Sequence, residues 1–191
     1  ISKATKALKD SEFDGLLIFA PESQYWLCGY DTFGFALFQC LVLTADGALH
    51  LLTRAPDKRQ AQQTSTLSDR QIHIWRDVDG VRPAEQLKDL LVTLGLAGKR
   101  LGIETKTAGL TAFNGDVVRD ALKAETLVEA SDLIAALRRV KSPAELDCIR
   151  RAAVLSDDAL DAALGSTRAG ASEGDILSDM QGAVFLSLIH I

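Results

Sequence analysis

Apolar positions in this chain fall into short unbroken runs, separated by stretches whose apolar residues recur at helical spacing. Residues 15–20, Gly15-Leu16-Leu17-Ile18-Phe19-Ala20, are wholly apolar, as expected for a central strand covered on both faces. Residues 36–44 form a second such run. Ala45-Asp46-Gly47 then makes a turn, and residues 48–53 return as the hairpin partner. In residues 71–75 polar Gln71 and His73 alternate with Ile72 and Ile74, which predicts a strand with one face covered and His73 on the polar side. Residues 100–104 and 125–129 are two further short strands.

Between the strands the period changes to that of a helix. Residues 1–12 carry Ala4, Ala7 and Leu8 at helical spacing. Pro21 ends the first strand, and residues 22–28 form a short helix closed by Gly29. Residues 54–64 are polar and Gln-rich, an exposed helix. Residues 83–94 place Leu87, Leu90, Leu91 and Leu94 on one side and stop at Gly95. Residues 111–121 and 131–140 are the remaining helices of this region. Strands alternating with helices, plus one hairpin, predict a three-layer α/β domain around a mixed sheet of about six strands.

The most complete local signal lies in Lys141-Ser142-Pro143-Ala144-Glu145. Ser142 can accept from the orphan amides of a first helical turn, Pro143 sits where a missing N–H costs nothing, and Glu145 can reach back to close a capping box. The helix it opens puts Leu146, Ile149, Ala153, Leu160 and Leu164 on one stripe for about 22 residues, roughly 33 Å. A connection through Gly165 and residues 170–175 follows, with Ser172 and Asp175 as a second cap, and then a helix from Ile176 to Phe185. The chain therefore divides near residue 140, into a domain of residues 1–140 and the start of a second at 141–186. Residues 187–191 look like translated adapter sequence and are set aside as a doubtful tail. With Ile1 at the other end, both ends read as cut.

Composition narrows the function. A formal net charge of -5 over 191 residues argues against non-specific nucleic-acid binding, which needs clustered positive charge. No apolar run approaches the roughly 20 residues that span a bilayer. Cys28, Cys40 and Cys148 make no CxxC pair and leave an odd thiol, which fits a reducing cytoplasm.

Most chemical signatures are missing or have bland readings. Asp157-Asp158-x-x-Asp161 has the spacing of a Mg²⁺–diphosphate site, but nothing supplies the second acidic cluster, so a solvated helix face is expected. His50, His73 and His190 stand far apart in different elements and suggest no metal centre. No Gly-x-Ser-x-Gly elbow occurs, and no Gly-rich loop follows the first strand. Cys28, at a helix C-terminus, reads as a packed residue because that position raises a thiol's pKa. The place to look for function is the aromatic group Tyr25, Trp26, Tyr30, Phe33 and Phe35, with the charge of Asp31. It joins a helix end to a strand through Gly29 and Gly34, where α/β sheets present ligand-contacting loops. Tyr25, Tyr30, Asp31 and Phe33 are the substrate-pocket candidates, and core or dimer contact is the competing role.

Two segments resemble the creatinase / aminopeptidase P / prolidase family of pita-bread metallopeptidases. Ser23-Gln24-Tyr25-Trp26-Leu27-Cys28-Gly29-Tyr30 is similar to the family's Asn-x-x-Tyr-Leu-Thr-Gly-Tyr signature, with Ser23 or Gln24 near the usual Asn and Cys28 in place of Thr. Leu137-Arg138, Lys141-Ser142, Glu145, Ile149-Arg150, Ala152 and Gly170 with Ser172-Glu173 are similar to the step into the catalytic domain. The resemblance implies an N-terminal domain that caps the active site, forms a homodimer and meets a small peptide or small amide substrate. It implies two divalent metal ions (Mn, Co or Zn) in the whole protein, held by two Asp, one His and two Glu that lie beyond residue 186. In this chain alone it implies no catalytic residue, no cofactor and no activity. Two alternatives share the architecture: a metal-independent, creatinase-like amidinohydrolase, and a non-catalytic protein-binding module.

Overall fold

A computed structural model describes residues 1–76, 78–122 and 127–188, with only the backbone of Phe35 and Leu188. The first part of the strand expected at 125–129, together with His190, lies outside these residues. The chain separates into two compact units, Ile1–Arg139 and Val140–Ile191.

The first unit is built on β1 (Gly15–Ile18), β2 (Cys40–Thr44), β3 (Leu49–Arg54), β4 (Ile72–Trp75), β5 (Leu101–Ile103) and β6 (Leu127–Glu129). They form one sheet in the order β4-β3-β2-β1-β5-β6. The β1–β2 and β2–β3 pairs are antiparallel, whereas β1–β5, β5–β6 and β3–β4 are parallel. The mixed sheet thus follows from one hairpin set among helical crossovers, which parallel pairing requires.

The central strands are apolar throughout because both faces are covered. Leu16, Ile18, Leu41, Leu43, Leu49 and Leu51 point into one core, which α1 (Ser2–Asp10), α2 (Pro21–Cys28), α3 (Lys58–Thr64) and α6 (Ser131–Arg139) close with Leu8, Leu27, Ala61 and Ile134. Leu17, Cys40, Val42, Leu52, Leu101 and Ile103 point the other way, onto α4 (Pro83–Thr93) and α5 (Ala112–Leu122) through Leu87, Leu91 and Val118. Each fully buried leucine stabilises the fold by about 1.5–3 kcal/mol relative to an exposed one.

Three local expectations are corrected. The strand expected from residue 36 begins only at Cys40, because Gly34–Ala36 form a 3-10 turn. β4 is covered on both faces: Ile72 packs in the first core and Trp75 in the second, where its indole N–H donates to the Phe38 carbonyl at 2.9 Å. Gly165 lies inside a helix rather than in a connection.

The second unit is a pair of helices packed on one another, α7 (Pro143–Ser166) and α8 (Glu173–Leu188). The capping box at the start of α7 is complete. The Glu145 N–H donates to Ser142 Oγ at 3.3 Å, and the Ser142 N–H donates to Glu145 Oε2 at 2.7 Å. α8 runs through Ser187, so the helix includes the first residues of the segment set aside as a tail. Leu146, Ile149, Leu160 and Leu164 of α7 are all exposed.

Candidate functional site

The aromatic segment begins where β1 leaves the sheet. Ala20 is the N-cap of α2, and Pro21 occupies the first helical position, where its fixed φ is already helical and no N–H is lost. α2 turns Leu27 and Cys28 into the core and leaves Tyr25 61% exposed. Gly29 ends the helix at φ 78. A side chain there would be strained, and its Cβ would stand 2.9 Å from the Thr64 carbonyl oxygen.

The four candidates then part company. Tyr30 is 1% exposed, and its hydroxyl donates to Gln39 Oε1 at 3.0 Å and lies 3.4 Å from Thr53 Oγ1. Burial pushes its phenol above the ordinary tyrosine range. It is a core residue that pins the loop from below. Asp31 is exposed, and its backbone N–H donates to Thr64 Oγ1 at 3.2 Å, tying the loop to the end of α3. Phe33, 92% exposed, precedes the 3-10 turn, and Gly34 N–H donates to Thr32 Oγ1 at 2.8 Å. Tyr25 is therefore a surface group on α2, and Asp31 and Phe33 are surface groups on an internally bonded loop with Tyr30 as its anchor.

Beside this segment stands a carboxylate that the sequence did not single out. Glu104 follows β5, its N–H donates to the Leu17 carbonyl at 3.0 Å, and its side chain is almost completely buried. Glu104 Oε2 accepts from the Ala20 N–H at 3.0 Å, so the carboxylate closes the first turn of α2. Oε1 has no protein partner. Burial is the largest influence on this group and lifts its pKa to about 7, against the opposing pull of the Ala20 N–H and the Ser23 hydroxyl. A single Glu at the end of an apolar run carries no sequence signal of this role.

Other expected groups are plainly placed. Cys28 is buried, donates from Sγ to the Gln24 carbonyl at 3.3 Å, and has its thiol pKa raised by burial. Asp157, Asp158 and Asp161 lie on the exposed surface of α7. The expectation that the histidines are scattered is corrected for two of them: His50 Nδ1 and His73 Nε2 are 3.2 Å apart. The parallel β3–β4 pairing brings together residues that lie in different elements. Among the described residues no group of three or more His, Cys, Asp or Glu is placed to hold a metal ion. The paired metals implied by the resemblance therefore do not fit the residues present, and no reaction step is assigned to a side chain here.

The chain belongs to the creatinase/prolidase N-terminal domain family, whose model matches residues 1–140. An uncharacterized hydrolase/peptidase of Sinorhizobium fredii (strain NBRC 101917 / NGR234) is 24% identical over 179 residues, 91% of this chain and 46% of that protein. The prolidase of Pyrococcus furiosus superposes with a TM-score of 0.73 at 17% identity, over 97% of this chain and 52% of that one. A proline dipeptidase structure from Streptococcus pneumoniae superposes with a TM-score of 0.61 at 17% identity, over 73% of this chain and 97% of that one. Against the first two, the chain spans about half the length of the protein it matches.

Proposed function

We propose that this chain is the N-terminal part of a prolidase-like peptidase, comprising the domain that caps the active site and the opening helices of the catalytic domain. The whole protein would cleave the Xaa-Pro bond of a small peptide, or a related C–N bond, as a homodimer in the cytoplasm. The observation that carries this reading is the coincidence of three limits near residue 140. The family match ends there, the first compact unit ends there, and the capping box opens α7 immediately afterwards.

In such an enzyme two divalent ions would be held by side chains other than those described here and would supply a nucleophilic water of lowered pKa. The role left to this domain is to bind and orient. Tyr25 and Phe33 offer apolar surface to a proline ring or a neighbouring subunit, Asp31 offers a charge to a peptide amine, and Tyr30 holds their loop in place. A free thiol is present at each of Cys28, Cys40 and Cys148, in keeping with a reducing compartment.

The test is an assay of the full-length polypeptide on Gly-Pro and Ala-Pro against Gly-Ala, with Mn²⁺, Co²⁺ or Zn²⁺ and after chelation. Selective cleavage of the proline dipeptides that disappears on chelation is the expected result. Chelator-resistant turnover of creatine instead would replace the peptidase with an amidinohydrolase. No turnover, together with a stable protein complex, would make the domain a binding module. Sedimentation equilibrium tests the dimer, and a monomer at micromolar concentration would remove that part of the proposal.

A further inference from the structure

β3 and β4 run parallel, with Leu51 opposite Ile72 and Leu52 opposite His73. Leu49, Leu51, Ile72 and Ile74 face one core. His50 and His73 therefore project from the other face and meet across the strand pair. Their facing nitrogens, Nδ1 of His50 and Nε2 of His73, are 3.2 Å apart, and the ring centroids are 5.4 Å apart.

We infer that His50 and His73 form a chelating site for a divalent transition-metal ion of the kind that prefers imidazole, such as Zn²⁺ or Cu²⁺. Two imidazole nitrogens bound to one tetrahedral ion, with arms of about 2.0–2.1 Å, lie roughly 3.3 Å from each other and carry their ring centroids roughly 5 Å apart. The observed 3.2 Å between nitrogens is close to the first value and the 5.4 Å between centroids is slightly longer than the second, so the rings must rotate to turn both lone pairs onto one ion. Without metal, one ring donates its N–H to the other. Binding needs the tautomers that place a lone pair on both facing nitrogens; each then gives that pair to the ion, and no proton leaves the pair.

A third observation fits a cation. His50, though not His73, lines an open surface depression of ≈ 320 Å³ that also borders Asp14, Asp46 and Lys99. The negative charge of Asp46, which borders the same depression as His50, favours a cation there. Water completes the coordination. A bound ion would staple the edge strand β4 to β3. This site is independent of the peptidase reading and of the metals that reading requires.

The experiment is calorimetric titration of the chain with ZnCl₂, CuCl₂ and, as a control, MgCl₂, alongside thermal melting and histidine ring NMR. The expected result is one Zn²⁺ or Cu²⁺ per chain with a dissociation constant on the order of micromolar, tighter for Cu²⁺, and no saturable Mg²⁺ binding. The melting temperature should rise, and the ring signals of His50 and His73 should shift together at one equivalent. His50→Gln and His73→Gln should each weaken binding at least tenfold, while His190→Gln leaves it unchanged. Absence of saturable binding below a millimolar overturns the proposal, as does full retention of binding in His73→Gln. If a variant unfolds, the ring shifts of the unmodified chain decide the matter.

Discussion

The Glu104 carboxylate accepts a hydrogen bond from the Ala20 N–H at 3.0 Å, so α2 is capped by a residue 84 positions away. Ala20 has no side chain able to cap, and Pro21 gives the first turn no N–H of its own. The helix that presents Tyr25 is thus fixed to the sheet through β5. The connection explains how an eight-residue helix, too short to be stable alone, holds its orientation at the edge of the candidate site.

Stability should depend on Glu104 with a definite sign. Its folded pKa, about 7, lies above its unfolded value of 4.5, so the folded state holds the proton more tightly. The contribution is fully present below about pH 4.5 and is lost as pH rises toward and through 7, a span on the order of 3 kcal/mol at most. His50 and His73 act oppositely, because their lowered pKa values make stability rise as pH rises toward 6.5. The comparison of Glu104→Gln with the unmodified chain isolates the carboxylate. Urea midpoints from pH 5 to 8.5 should converge at the acid end, with the variant becoming relatively more stable at the alkaline end. A constant difference across that range would mean that Glu104 does not titrate there.

Gly109→Ala should be among the most damaging single substitutions in the first unit. A Cβ there would stand 2.1 Å from the Phe19 carbonyl oxygen. That atom is backbone and cannot rotate aside. The loop after β5 would have to separate from the end of β1, costing about 2 kcal/mol or more. Chemical denaturation gives the value, and a loss under 0.5 kcal/mol would show that the close approach is relieved cheaply.

Two neighbours in the candidate loop should behave in opposite ways. Tyr30→Phe removes the hydroxyl that donates to Gln39 Oε1 and leaves that oxygen with only the 3.4 Å bond from Thr53 Oγ1, at a cost of about 0.5–1.5 kcal/mol. Phe33→Ala removes an exposed ring and should change stability by less than about 0.5 kcal/mol. In the full-length protein Phe33→Ala should instead raise KM for a proline dipeptide. Unchanged kinetics in Phe33→Ala would remove this residue from the substrate-contacting set.

Much of this was legible in the sequence, and the parts that were not have a common cause. β1 and β2 are legible because strands covered on both faces are unbroken apolar runs, and α7 because Ser142, Pro143 and Glu145 form a wholly local code. A signature shows which residues cluster in sequence and not which way each points, so Tyr30 stands among the pocket candidates until the fold turns it inward. Gly29 reverses the chain and sends Tyr30 inward while Phe33 stays outside. The His50–His73 contact and the Glu104 cap both depend on parallel pairing between segments separated by other elements. Neither leaves a trace in local periodicity, and a sheet order has to be known before either can be seen.

The two compact units should differ sharply in hydrogen exchange. Amides of Leu16, Leu17 and Ile18 lie in a strand bonded on both sides and buried on both faces, so they should exchange only through global unfolding. α7 contains no buried residue, and Leu146, Ile149, Leu160 and Leu164 together forgo several kcal/mol of burial. The capping box returns only about 1 kcal/mol. Amides of residues 144–166 and 173–188 should therefore exchange orders of magnitude faster than those of β1. Ser142→Ala should accelerate exchange further in α7 while leaving β1 unchanged. Protection in α7 equal to that in β1 would mean that the exposed leucines are covered in solution, and the division at residue 140 would then not be a boundary of stability.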